Sequence, residues 1–169
     1  SVAIIGAGPA GLVTARWLRA RGFAPALFEA PGALGGQWNP NGLHSATWPG
    51  MVTNTSRVMT AFSDLDHPPG TPTYPGREDM HRYLDRYSDR FGLRPAIRFG
   101  TRVEQLGRAE TGGWEIRSSC GGETRTERFD RVVVASGRYL RGTIPQVPGL
   151  ETFSGKFGTG HSSQFSGVA

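Results

Sequence analysis

The sequence predicts an α/β fold: a Rossmann-like, dinucleotide-binding domain with a parallel sheet and a small inserted antiparallel meander. Three observations predict it. A short apolar strand runs straight into a G-x-G-x-x-G turn and an apolar-periodic helix. A second apolar run, "VVVASG", lacks polar alternation, as a strand covered on both faces requires. Ahead of it lies a polar stretch of period two that turns at a Gly-Gly pair.

The elements follow in order. Val2 to Ile5 reads as a buried parallel strand, and the helix of "GLVTARWLRARG" follows, with Gly22 as its stop. "APALF" resumes as a second strand that ends in Glu29. The three glycines of the turn serve different ends. Gly6 permits the tight bend, Gly8 lets backbone approach a pyrophosphate, and Gly11 lets helix and strand pack closely. The helix N-terminus then faces the phosphates. Glu29 stands about 20 residues beyond the glycines, where an acid accepts from an adenosine ribose hydroxyl. An acid suits an unphosphorylated ribose, so NAD or FAD fits this site and NADP does not.

The loop "EAPGALGGQW" places Gly35, Gly36, Gln37 and Trp38 directly after the second strand. Such a turn passes under an extended cofactor, with Trp38 either walling a flat ring or closing the core. Residues 50 to 64, "GMVTNTSRVMTAFSD", are too polar for a core strand and too rich in Thr and Ser for a helix. Residues 77 to 93 then put Met80, Tyr83, Leu84 and Tyr87 on one helical face, with charges opposite and Gly92 as the stop. "PAIRF" reads as a third parallel strand. The strand near Val103, "GWEIRSS", the turn "CGGE" and "TRTERF" make the meander. "DRVVVASG" returns to the cofactor edge and brings Ala135, Ser136 and Gly137 near the ligand. The expected division is a cofactor domain over 1–142 and a Pro/Gly-marked linker over 143–169.

Composition narrows the chemistry. The net charge is +5, yet the arginines are scattered and Lys156 is the only lysine, so nucleic acid is not the expected partner. One cysteine, Cys120, allows neither an internal disulfide nor a Cys-x-x-Cys pair. The four histidines are too widely spaced for a metal cluster. No apolar run approaches membrane-spanning length and no signal pattern opens the sequence, so a soluble, cytoplasmic protein is expected.

The stretches "GAGPAGL", "GGQW", "VTNTSRVMTAFSD", "YPGREDMHRYLDRY", "VVVASG" and "PQVPGLETFSG" with "HSSQF", together with Glu29, resemble the flavin-containing monooxygenases. "TNTS" followed by "FSD" is far more specific than the glycine fingerprint. The resemblance covers essentially the whole chain and implies FAD at the first fingerprint, NADPH as reductant, and oxygen plus a small-molecule nucleophile as substrates. It implies that the segment from Val52 to Asp64 lines the flavin ring and that Asn54 is the catalytic asparagine, helping to stabilise a flavin hydroperoxide, with Thr53, Thr55 and Ser56 completing a hydrogen-bonded wall. His44 and Val103 join Gly6, Gly8, Pro9, Ala10, Gly11, Glu29, Gly36, Gln37, Trp38 and Ala135 to Gly137 as cofactor contacts. Phe153, Gly155 and His161 match a further family motif with two extra residues before the histidine.

The family continues with a second nucleotide-binding domain, so the resemblance implies the remainder of a larger polypeptide or a complementary subunit. Self-association stays open. An uncovered half-domain is expected to leave apolar faces and strand edges exposed. A soft nitrogen or sulfur nucleophile is the leading substrate class. A Baeyer–Villiger oxygenase is the neighbouring alternative, although "WPGMVTNTS" lacks the aspartate those relatives carry. A non-catalytic flavin- or NAD-binding subunit is the other.

Overall fold

The computed structural model describes residues 1–42, 45, 47–138, 142–156 and 158–165. Strand β1 (Val2–Ile5) leads into helix α1 (Pro9–Ala20), and β2 (Pro25–Phe28) follows. Pro9 at the first helical position supplies a fixed φ where its missing N–H costs nothing. Gly22, at φ +82°, ends the helix as expected. After a 3-10 turn at Gly36–Trp38 come a one-turn helix α2 (Arg57–Thr60) and α3 (Arg77–Arg90). Asp79 accepts the Gly76 N–H at 3.0 Å, so the N-terminus of α3 is capped from within, and Gly92 at φ +60° follows its end.

The parallel sheet has the order β3-β2-β1-β7, with β3 at Ile97–Arg98 and β7 at Arg131–Val134. The antiparallel meander is β4 (Thr101–Arg108), β5 (Trp114–Cys120) and β6 (Glu123–Phe129). Gly121 and Gly122, both at positive φ, form its second turn, as the two-residue hairpin rule demands. The strand expected over "PAIRF" is only two residues long because Arg94–Ala96 coil into a 3-10 turn around Pro95.

Three layers result. Ile4 and Leu27 face the helices and pack with Leu12, Met80, Tyr83, Leu84 and Tyr87, while Ala3 and Phe28 face the meander and meet Ile116 and Phe129. Each fully buried Ile or Leu contributes about 1.5–3 kcal/mol. Phe28 and Phe129 meet edge to face at 5.8 Å, which adds about 1 kcal/mol to the docking of the meander. Among the described residues no strand pairs with the side of β7 away from β1, and Val134 there is 63% exposed. Ile144, Val147, Phe153 and Phe165, in the stretch beyond, are also exposed. Among the described residues, no helix is long and apolar enough to cross a membrane.

Candidate cofactor site

The order of the sheet creates the site. From β1 the chain passes to β2 on one side, and β7 pairs on the other, so the carboxyl end of β1 is the switch point where open α/β sheets bind ligands. Gly6, Gly8, Pro9, Ala10 and Gly11 stand there, with Glu29 one residue past β2 and Ala135, Ser136 and Gly137 just past β7.

Gly6 adopts φ +106°, and a Cβ there would come within 2.4 Å of the Ala135 carbonyl oxygen. A Cβ on Gly11 would lie 1.9 Å from the Gly6 carbonyl oxygen, which accounts for close helix-to-strand packing. Gly8 and Gly36 face each other: a Cβ on Gly36 would lie 3.1 Å from Gly8 Cα, and one on Gly8 would lie 3.4 Å from Gly36 Cα. The two bare backbones cross at a cradle that side chains would fill. Above it, α1 has no side-chain cap and no acid in its first turn. The positive end of the helix is therefore left for a ligand anion.

Glu29 is 7% exposed and accepts the Ala7 N–H. Burial pushes its carboxyl above its ordinary 4.5, and the Ala7 N–H draws it part of the way back. A raised folded value favours the protonated form in the native state. That contribution to stability is fully present below about 4.5 and is lost as pH rises through the folded value. Glu29→Gln is therefore expected to gain in melting temperature relative to the parent as pH climbs from 4.5. A constant difference across that titration would contradict the burial cost.

The Gly35–Trp38 turn is held from three directions. Gly35 N–H donates to the Ala7 carbonyl at 3.0 Å. His81, on α3, meets the Leu34 carbonyl at 3.1 Å, and its ring fills the space where a Gly35 side chain would go. Ser45 and Thr47 donate to the Gln37 carbonyl at 2.9 and 3.2 Å. Trp38 is 9% exposed and packs in the core on the helical side. Gln37 is half-buried beside the cradle.

The polar segment is anchored at its start. Thr53 N–H donates to the Pro75 carbonyl at 2.9 Å and its hydroxyl to the Thr55 carbonyl at 2.7 Å, while Arg77 N–H returns to the Met51 carbonyl at 3.1 Å. Thr53 is buried, and Asn54 and Thr55 project outward, exposed. The Asn54 amide has no hydrogen-bond partner among the described residues. Where a loop was expected after Ser56, Arg57–Thr60 make one helical turn, with the Thr60 hydroxyl 3.2 Å from the Ser56 carbonyl.

Val103 packs against the core under the meander, and a register shift between Val103 and Gln105 interrupts its pairing with β5. His161 lies against Gly142 in the C-terminal stretch. His44 falls outside the described residues.

His81, Ser45 and Thr47 were not foreseen. His81 does carry a signal, a polar residue directly beside the apolar stripe of a helix. The second-layer hydroxyls carry none.

A parallel sheet with a glycine cradle, an uncapped helix and a terminal acid at its switch point defines a dinucleotide-binding unit. Residues 1–167 match the flavin-binding monooxygenase-like family, and the chain belongs to it. It is similar to Monooxygenase PC-14 of Penicillium crustosum, 36% identical over 99% of this chain and 29% of that protein. A Baeyer-Villiger monooxygenase of Streptomyces coelicolor is 35% identical over 92% of this chain and 28% of its own length. Among solved structures, S-allyl-L-cysteine S-oxygenase from Allium sativum superposes with a TM-score of 0.84 at 31% identity, covering 92% of this chain and 40% of that one. The chain thus spans well under half the length of these relatives.

Proposed function

We propose that the chain is the FAD-binding part of an NADPH-dependent monooxygenase that oxygenates a soft nitrogen or sulfur nucleophile. The observation that carries the reading is the cradle: a Gly8–Gly36 crossing under the uncapped N-terminus of α1, with Glu29 at the end of β2. The residues fit FAD. The helix N-terminus and bare glycines would hold the pyrophosphate, and Glu29 would take a ribose hydroxyl. Val103, beside the register shift in β4, is read as a further cofactor contact.

Bound flavin would supply hydride acceptance and oxygen activation, chemistry no side chain here provides. The protein's own work is to orient and to exclude water. Thr53 fixes the backbone so that the unspent amide of Asn54 is offered outward, with two donors and one acceptor that do not titrate. Residues 143–169 are read as the linker towards an NADPH-binding domain, and the wall that selects the substrate belongs to that remainder.

The Baeyer–Villiger reading has its support in the Streptomyces coelicolor relative. The acid-free segment Pro49–Ser56 argues for the soft nucleophile instead. A polypeptide containing this chain is expected to oxidise NADPH and oxygenate a thioether or tertiary amine, with cyclic ketones untouched. Ketone oxygenation without sulfoxide would reverse the assignment. Glu29→Ala is expected to weaken FAD retention about 10- to 100-fold, the worth of a hydrogen bond to a charged acceptor. Undiminished flavin absorbance after dialysis would remove Glu29 from the ribose role.

A further inference from the structure

Asp64 closes the "FSD" stretch, and its carboxylate has no role in the site described above. It sits where three elements meet. Arg16 Nε, on α1, lies 3.4 Å from Asp64 Oδ2, and the side chains are 23% and 17% exposed. Tyr87, on α3, donates its hydroxyl to the same oxygen at 3.2 Å. The guanidinium of Arg16 is also stacked 4.4 Å from the Phe91 ring and 4.9 Å from that of Trp17, which fixes its direction. Burial first, and then the Asp64 charge, raise the Tyr87 phenol, so it remains a donor.

The cluster is incompletely satisfied. Asp64 Oδ1 and Arg16 Nε are buried without a hydrogen bond among the described residues. Half-satisfied buried ion pairs contribute little to stability, and apolar replacements of such pairs are often as stable. What such a pair does supply is a fixed geometry between the elements that carry it.

The neighbouring contacts show which geometry. Tyr83 accepts the Phe62 N–H at 2.7 Å and donates to the Leu65 carbonyl at 2.6 Å, so α3 clamps the turn holding Asp64. Upstream, Arg57 N–H donates to the Thr73 carbonyl at 2.7 Å, and Thr53 is tied to Pro75. The stretch from Thr53 to Leu65 is thus fastened to α3 and its approach at both ends. Asp64 gives it a polar tie to α1, the helix read as facing the phosphates, beside the packing of Phe62 and Leu65 on the core cluster that holds Leu12.

We propose that Asp64 is a positioning residue: its carboxylate, shared between Arg16 of α1 and Tyr87 of α3, sets the Asn54 segment against the phosphate-facing helix. This rests on the reading of α1 and Asn54 as parts of one cofactor site.

The test uses the FAD-loaded, full-length polypeptide. Asp64→Asn keeps the shape and removes the charge. Backbone amide exchange of residues 53–61 is expected to quicken about tenfold, while exchange in β1 and β2 stays at the parent rate. FAD affinity is expected to hold within about threefold, and product formed per NADPH to fall, with the change in kcat rather than KM. Arg16→Gln is expected to do the same, and the double variant to add nothing further. Asp64→Glu, which restores the charge, is expected to recover part of the loss. Tyr87→Phe removes only one donor and answers the same question if Asp64→Asn does not fold. Unchanged exchange over 53–61, or equal loosening of loop and sheet, would overturn the proposal. If the parent polypeptide oxygenates nothing, the functional reading fails, and the exchange measurement still decides the role of Asp64.

Discussion

Gly11→Ala is expected to cost about 3 kcal/mol or more, a large part of the stability of a domain this size. The added carbon would sit 1.9 Å from the Gly6 carbonyl oxygen and 3.5 Å from an Ile4 methyl. The oxygen has no room to retreat. Gly6 N–H is bonded to the Phe28 carbonyl at 2.8 Å, and the next residue is pinned by Glu29 on one side and Gly35 on the other. Relief would mean lifting α1 off the sheet and uncovering Leu12 and Ala15, both fully buried. The melting temperature should fall by roughly 10 °C.

Gly8→Ala is the control. Its carbon would meet Gly36 Cα at 3.4 Å and Gly36 N at 3.7 Å, ordinary contacts, so the fold should survive while FAD affinity falls because the cradle is filled. The pair separates two reasons for a glycine that the fingerprint alone merges. A Gly11→Ala protein that melts with the parent would refute the packing reason. A Gly8→Ala protein that keeps its flavin through dialysis would refute the ligand reason.

How much was legible in the sequence depends on how local the determinant is. β1, α1 and β2 are each specified by residues within a few positions of one another, and the terminal acid stands in the expected place. The meander was legible because its alternation and its Gly121–Gly122 turn are local too. The turn at Arg57–Thr60 was not, because Val58 and Met59 are 77% and 75% exposed and give no apolar stripe. The junction of Arg16, Asp64 and Tyr87 was not legible either. Its partners lie 23 residues apart on one side and still further on the other, and only the folded packing of α1 on α3 brings them together. Trp38 shows the limit from another direction: a tryptophan after a glycine pair is compatible with a ring wall and with a core plug. Its packing beside Leu34 and Met80 is decided by tertiary contacts.

Asn54→Ala should leave the fold intact and spoil the chemistry. The side chain is exposed and bonds to nothing among the described residues, so its loss is expected to change stability by less than about 0.5 kcal/mol. Thr53 keeps its bonds to Pro75 and Thr55, so the backbone of the segment stays where it is. The substitution removes two donors and an acceptor from a position that the anchored turn presents outward. Losing a preorganised donor to developing negative charge costs about 100-fold in rate. On the proposed function, reduction by NADPH needs no such donor, so NADPH oxidation should persist while oxygen leaves as hydrogen peroxide instead of entering substrate. Stopped-flow reduction rates, peroxide yield and product yield measured together separate these outcomes. Asn54→Asp sharpens the result: it keeps size and acceptors and replaces the donors with a charge, so it should be at least as uncoupled as the alanine. Equal product per NADPH in the parent and both variants would mean that the outward amide is a surface residue, and that another group stabilises the activated oxygen.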